Sequence, residues 1–355
     1  MNLVGLDYVN DKDKELTKLF IESKGIKKYI LGINKLGKSV LKHLEVDGII
    51  DDFTRVQKSR KKTVLQIEDV PKDSIILTVA TGSPLEVNNK LDELGYTHFN
   101  YLAFIRYSKL DLIHPPFIMD FKDDFLENKS RYQETYNLLS DDKSKEVFEK
   151  VINFKMSFDL SFMKGFTNNF DEQYFDKDLI PNIKNITFVD GGAYVGDTLP
   201  NIIQNFPDYK KIYCIEPNDL HIKIAKRDFS TQRDIEFINC GLGKEKIEIN
   251  QAQETQDICA HDYQAININT IDNLIKEKVD FIKLDIEGAE QDAIIGAKET
   301  ILKNHPILAI CIYHKAQDWY KVPQLVLSVR NDYKVFIRHY MEGIYETVMY
   351  FIPKK

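Results

Sequence analysis

The stretch FVDGGAYVGDT, residues 188–198, decides the fold. Phe188 and Val189 finish an apolar, strand-forming run, and Asp190 marks its carboxyl end. Gly191 and Gly192 then let the backbone turn closely before a helix begins. Downstream the alternation repeats. KIYCIEPN, IEFINCGLG, KVDFIKLDIEGAE and HPILAICIYHK read as four further strands, with helical stretches such as AEQDAIIGAKETILKN between them. YKVFIRHY and ETVMYFI read as an antiparallel pair at a sheet edge. The expectation is an α/β domain over residues 181–355 with a seven-stranded Rossmann-like sheet. An acid or a His closes strands one, two, four and five, where open α/β sheets bind their ligands.

Upstream lies a second, smaller Rossmann-like α/β series, assigned to residues 1–115. KKYILGINKLGKSVLKHL supplies a strand at Tyr29 to Leu31, a turn with Gly32, Asn34 and Gly37, and a helical face of Val40, Leu41 and Leu44. DGIIDDF, SIILTVA and THFNYLAF read as strands, and LEVNNKLDELG as a helix stopped by Gly95. His114-Pro115-Pro116 ends the series, because two prolines interrupt regular structure. Residues 116–180 read as a helical, aromatic connector. RYQETYNLLSDDKSKEVFEKVINFKMSFDLSF gives two helices broken at Ser140-Asp141-Asp142, with Ser140 as cap of the second.

Composition narrows the class. The 355 residues carry a net charge of -7, which argues against a dedicated nucleic-acid binder. Charges in MNLVGLDYVNDKDKE stand where a signal peptide needs apolar residues, and no apolar run reaches about 18 residues, so no membrane span is expected. Cys214, Cys240, Cys259 and Cys311 form no close pair and read as buried thiols of a cytoplasmic protein.

The cofactor follows from the acids. A dinucleotide loop reads GxGxxG and aligns a pyrophosphate with a helix N-terminus. Here the first glycine follows Asp190, which would repel a pyrophosphate but suits hydroxyls and a cationic amino-acid group. Glu216, at the end of the second strand, suits a ribose diol. The two together favour S-adenosylmethionine over NAD.

FVDGGAYVGDT, with EQYF upstream, IEPN, FIKLDIEGAEQDAIIGA, ICIYHK and RHY…ETVMYF, resembles the FkbM family of S-adenosylmethionine-dependent methyltransferases from about Glu172 to the C-terminus. The resemblance implies O-methylation, commonly of a sugar or polyketide hydroxyl. It implies that Asp190, Gly191, Gly192, Ala193, Tyr194, Asp197, Thr198, Glu216, Pro217 and Asn218 hold the cofactor. Asn239, Cys240 and Gly241, with Leu242, flank the adenine, Gln173 and Tyr174 close over the cofactor, and Asp285 lies near the transferred methyl.

A sugar hydroxyl needs a base or a metal to make it nucleophilic. One expectation makes His314 or His339 the general base. The other has Asp285, Glu287 and His314 bind Mg²⁺ or Mn²⁺, which chelates adjacent sugar hydroxyls. Glu290 reads as a first-turn or surface charge. The loop from Gln251 to Gln264, with His261 and Asp262, reads as a lid over the acceptor or an ordinary surface loop. For the first domain, three readings stay open: binding the nucleotide of a sugar-nucleotide, packing or homodimerisation as a degenerate Rossmann unit, and binding NAD, with Asp51 and Asp52 at the ribose position. The expected whole is a sugar or nucleotide-sugar O-methyltransferase of bacterial capsular or surface polysaccharide synthesis. The rivals are a non-catalytic nucleotide sensor and an NAD-dependent sugar-modifying oxidoreductase.

Overall fold

Apolar runs of four or five residues, too short for helices, become strands wherever both faces can be covered. In the computed structural model, which describes residues 1–52, 58–59, 62–247 and 266–354, they form two sheets. The chain divides into two compact units, residues 1–123, 146–168 and 340–345, and residues 124–145, 169–339 and 346–355.

The first unit contains β1 (Lys28–Leu31), β2 (Gly48–Ile50), β3 (Lys58–Ser59), β4 (Lys62–Leu65), β5 (Ile75–Thr78) and β6 (Thr97–Asn100), ordered β3-β4-β2-β1-β5-β6. All pairs are parallel except β3 with β4. Alternate residues serve opposite faces. Ile30, Leu77 and Phe99 pack with Phe20, Val40 and Phe104, whereas Tyr29, Ile50 and Ile76 pack with Leu91 and Tyr96. Two sequence readings change. β3 and β4, in a Lys- and Arg-rich stretch, carry too little apolar signal to be foreseen. THFNYLAF is a strand only to Asn100, whose side chain accepts from the Ala103 N–H and starts the helix Tyr101–Ser108.

The second unit contains β7 (Thr187–Gly191), β8 (Lys211–Ile215), β9 (Ile235–Ile238), β10 (Gly241–Leu242), β11 (Ile268–Asn269), β12 (Phe281–Leu284), β13 (Ile307–Cys311), β14 (Tyr333–His339) and β15 (Thr347–Pro353). The seven-stranded sheet runs β14-β15-β13-β12-β7-β8-β9. β15 is antiparallel to both β13 and β14, as the two terminal runs implied, and the remaining pairs are parallel. Phe188 and Phe281 stack at 4.5 Å between centroids in the middle of this sheet. The third run does not continue unbroken. β9 ends at Ile238, the Cys240 N–H turns back to the Ile238 carbonyl, and β10 pairs with β11 instead. The run expected as one helix after β12 divides into Glu290–Ile295 and Lys298–Asn304 at Gly296, where a Cβ would lie 2.0 Å from the Gly243 carbonyl oxygen.

The stretch 121–157 folds as three helices, Phe121–Glu127, Lys129–Leu138 and Asp142–Ser157. Asp141, not Ser140, accepts from the Ser144 N–H at the start of the last helix, and the Ser140 hydroxyl accepts from the Val335 N–H. Cys214, Cys240 and Cys311 are buried free thiols, while Cys259 lies outside the described residues. Among the described residues no helix is long and apolar enough to cross a membrane.

Candidate active site

The strand order of the second unit reverses between β7 and β12. That switch point opens a crevice at the strand carboxyl ends. A cavity of about 1060 Å³ lies there, lined by Gly192, Tyr194, Glu216, Lys283, Asp285 and Glu346 among others. Gly192 has φ +77°, and a Cβ on it would lie 1.8 Å from the Asp285 carbonyl oxygen. Only glycine fits. The Gly192 and Ala193 N–H groups both turn to the Ile215 carbonyl, at 2.9 and 3.1 Å. Four non-glycine residues on the cavity wall also have left-handed backbones: Tyr174 (φ +70°), Tyr194 (+43°), Glu287 (+54°) and Glu346 (+62°). Such strain gathers where structure serves function.

On one side of the cavity, Glu216 follows β8. Its oxygens are aimed by two backbone donors, Tyr194 N–H at 3.1 Å and Asn218 N–H at 2.9 Å. The Asn218 side chain caps the helix Asp219–Asp228. The Asn239 amide donates to the Glu216 and Pro217 carbonyls, each at 3.0 Å, and so fixes the loop behind the carboxylate. Pro217, Cys240, Gly241, Leu242, Asp197 and Thr198 complete this wall.

Asp190 departs from expectation. It is 0 % exposed and does not line the cavity. β7 and β12 pair with Asp190 beside Lys283, so the two side chains leave the sheet on the same face. The Lys283 ammonium meets the Asp190 carboxylate at 2.9 Å and donates to the Gly192 carbonyl at 2.8 Å. Burial works against its charge, yet Asp190 and Asp285 hold the Lys283 pKa above the usual lysine range. Lys283, not Asp190, faces the cavity, and among the described residues it is the sole Lys or Arg on its wall.

On the other side, Asp285 follows β12. Its Oδ2 accepts from the Tyr174 hydroxyl at 2.9 Å and its Oδ1 from the Tyr313 hydroxyl at 3.1 Å, with His314 Nε2 at 3.4 Å. His314, after β13, also has its Nε2 3.7 Å from Glu287 and its Nδ1 2.9 Å from Glu290. Burial opposes the imidazolium charge, but Glu290, Asp285 and Glu287 together push its pKa up to about 9. The three carboxylates thus favour the charged form of His314. Glu290 is not a surface charge. It is 0 % exposed, accepts from the Ile286 N–H at 3.0 Å, and orients His314. One donor atom from each of Asp285, Glu290 and His314 lies within 4.8 Å of the others, which suits a cation. His339 hydrogen-bonds the Thr347 hydroxyl at 2.9 Å and does not line the cavity.

Gln173 does reach this side. Its amide donates to the Tyr174 hydroxyl at 2.9 Å and to the Glu346 carboxylate. Burial and Asp285 push the Glu346 carboxyl up to about 7. Lys283, Tyr313 and Glu346 were not singled out from sequence. The signal was present for one of them, since a lysine inside the apolar run FIKL demands a buried partner. His261 and Asp262 lie outside the described residues.

The first unit has its own cavity of about 960 Å³, lined by Gly32, Asn34, Asp51 and Asp52 at the ends of β1 and β2. The donors at the adjoining helix starts are already engaged. Asn34 accepts from the Gly37 N–H, and Glu342 accepts from the N–H groups of Leu85 and Glu86, both at 2.9 Å. Asp52 accepts from the Ile67 N–H.

Comparison with known proteins follows the same lines. Residues 190–342 match the Methyltransferase FkbM domain. The crystal structure of methyltransferase FkbM from Methylobacillus flagellatus is similar at 22 % identity, over 97 % of this chain and 94 % of that one, with a TM-score of 0.76. At that identity the likeness is one of fold. A SAM-dependent methyltransferase from Aquifex aeolicus (15 % identity, 55 % of this chain, 97 % of that one, TM-score 0.32) also matches. So does Aeropyrum pernix fibrillarin with bound S-adenosyl-L-methionine (12 %, 49 %, 69 %, TM-score 0.33). No curated protein matches the chain. With fold, cavity and matched segment in agreement, residues 190–342 form a methyltransferase domain of the FkbM family.

Proposed function

We propose that the chain transfers a methyl group from S-adenosylmethionine to a hydroxyl of a sugar, carried as a nucleotide-sugar for bacterial capsular or other surface polysaccharide and made in the cytoplasm. The observation that supports this most is one cavity with two differently built walls: Glu216, a carboxylate aimed by backbone donors, and Asp285, a carboxylate ringed by phenols and an imidazolium. The residues fit the cofactor. Glu216 takes the ribose diol, Cys240, Gly241 and Leu242 flank the adenine, and Lys283 answers the carboxylate of the amino-acid tail. S-adenosylmethionine, when bound, supplies a methyl already activated by a sulfonium. What remains for the chain is to place the acceptor and accept its proton. Alignment at about 3 to 3.5 Å supplies several kcal/mol of the barrier reduction. Asp171, Asp197, Glu216, Asp285, Glu287 and Glu346 make the wall acidic against Lys283 alone, which favours a sulfonium and an uncharged reacting hydroxyl.

A divalent cation is the second reading, favoured by His314 Nε2 facing Asp285 at 3.4 Å and Glu287 at 3.7 Å. Asp285, Glu287 and His314 would hold it, displacing the imidazolium proton, and it would supply Lewis acidity at the acceptor oxygen. Methyl transfer from labelled S-adenosylmethionine to a panel of nucleotide-sugars, with and without EDTA, tests both readings. Transfer to at least one sugar is expected. Loss in EDTA with recovery in Mn²⁺ selects the metal reading, and full activity in EDTA eliminates it. Label on no sugar hydroxyl contradicts the acceptor class.

A further inference from the structure

We propose that Glu346 is the general base that takes the acceptor's hydroxyl proton, an assignment that rests on reading the cavity as the methyl-transfer site. Glu346 stands just before β15, lines the cavity, and holds a left-handed backbone that a glutamate adopts only under constraint. Its Oε2 accepts from the Gln173 amide, which leaves Oε1 for a substrate proton. The same amide donates to the Tyr174 hydroxyl, and that hydroxyl donates to Asp285. Glu346 is thus fixed at the wall where Asp285 sits.

The other candidates are engaged. Both Asp285 oxygens already accept from phenols. His314 faces carboxylates through both nitrogens, Asp285 and Glu287 through Nε2 and Glu290 through Nδ1. His339 is bonded to Thr347 away from the cavity wall. Glu287 is 67 % exposed at its side chain and faces His314. The groups acting on Glu346 come from several elements. Burial and then Asp285 raise its pKa, Gln173, His314 and Lys283 pull it back, and Tyr174, Tyr313 and Cys311 adjoin it. The result, about 7, suits proton removal at neutral pH.

The step balances. The acceptor oxygen forms its bond to the methyl carbon, the carbon–sulfur bond breaks with its electron pair returning to sulfur, and the hydroxyl proton passes to Glu346 Oε1. The products are the methyl ether, S-adenosylhomocysteine and protonated Glu346, which releases its proton to solvent.

The test compares wild type, Glu346→Gln and Glu346→Asp. For Glu346→Gln, kcat is expected to fall by about 10²- to 10⁴-fold, with S-adenosylhomocysteine affinity by calorimetry within about threefold. Glu346→Asp keeps a carboxylate and recovers at least about tenfold of the loss. The wild-type rate rises with pH through about 7, because the base must be unprotonated, and that limb is absent in Glu346→Gln. Independently of activity, carbon NMR of side-chain carboxyls in the cofactor-free protein shows one glutamate titrating near 7, missing in Glu346→Gln. Unchanged kcat, a retained acidic limb, or no such resonance overturns the assignment. A wild type that binds S-adenosylhomocysteine yet methylates nothing overturns the methyl-transfer reading itself, and this assignment with it.

Discussion

Lys283→Met is expected to destabilise the fold by about 3–5 kcal/mol, because it leaves the Asp190 carboxylate buried without its cation. Asp190 is 0 % exposed and Lys283 2 % exposed at the side chain, so the carboxylate loses its cation with little water at hand to replace it. The stem of Met fills most of the lysine's volume, which confines the loss to charge and hydrogen bonding. Denaturant unfolding reads it as a fall in midpoint at unchanged slope. The double change Asp190→Asn with Lys283→Met removes both charges and should recover most of the stability, since a buried ion pair is worth little against neutral packing. A single variant within about 1 kcal/mol of wild type would show that the pair is not sealed from solvent as described.

Asp285→Asn is expected to lower turnover by about 10²- to 10⁴-fold while leaving cofactor affinity within about tenfold. The change keeps the shape of the side chain but removes the charge that Tyr174, Tyr313 and His314 address. One face of the amide also presents N–H groups to a phenol or imidazolium that donates already. Single-turnover methyl transfer and calorimetry with S-adenosylhomocysteine separate the two effects. A variant with wild-type turnover would move the chemistry away from the carboxyl end of β12.

Much of this was legible in the residues because strand-end chemistry is local. FVDGGAYVGDT carries its own turn: Gly192 occupies a backbone conformation and a gap that admit no side chain. Glu216 was legible for the same reason, as an acid directly after an apolar strand. What was not legible depends on register and on neighbours distant in sequence. Asp190 looked free to meet a ligand, and only the β7–β12 pairing sets it beside Lys283. Glu290 opens a helix, where an acid is ordinarily a solvated first-turn charge. Its burial against His314 arises because β13 delivers that imidazole next door. Glu346 precedes β15 as one acid in a polar turn and reveals nothing until Gln173 and Asp285 converge on it. In the first unit, Asn100 both ends β6 and caps the next helix, and its bond from the Ala103 N–H is what turns the rest of the apolar run helical.

The central claim is that the cavity over Glu216 is where the adenosyl cofactor binds. Calorimetric titration of wild type and Glu216→Ala with S-adenosylhomocysteine tests it most directly. One site per chain is predicted for wild type. In the variant, affinity weakens by about 10- to 100-fold, the loss of charge-assisted hydrogen bonds to a diol at about 1.5–3 kcal/mol. No binding by wild type, or equal binding by the variant, would contradict the account.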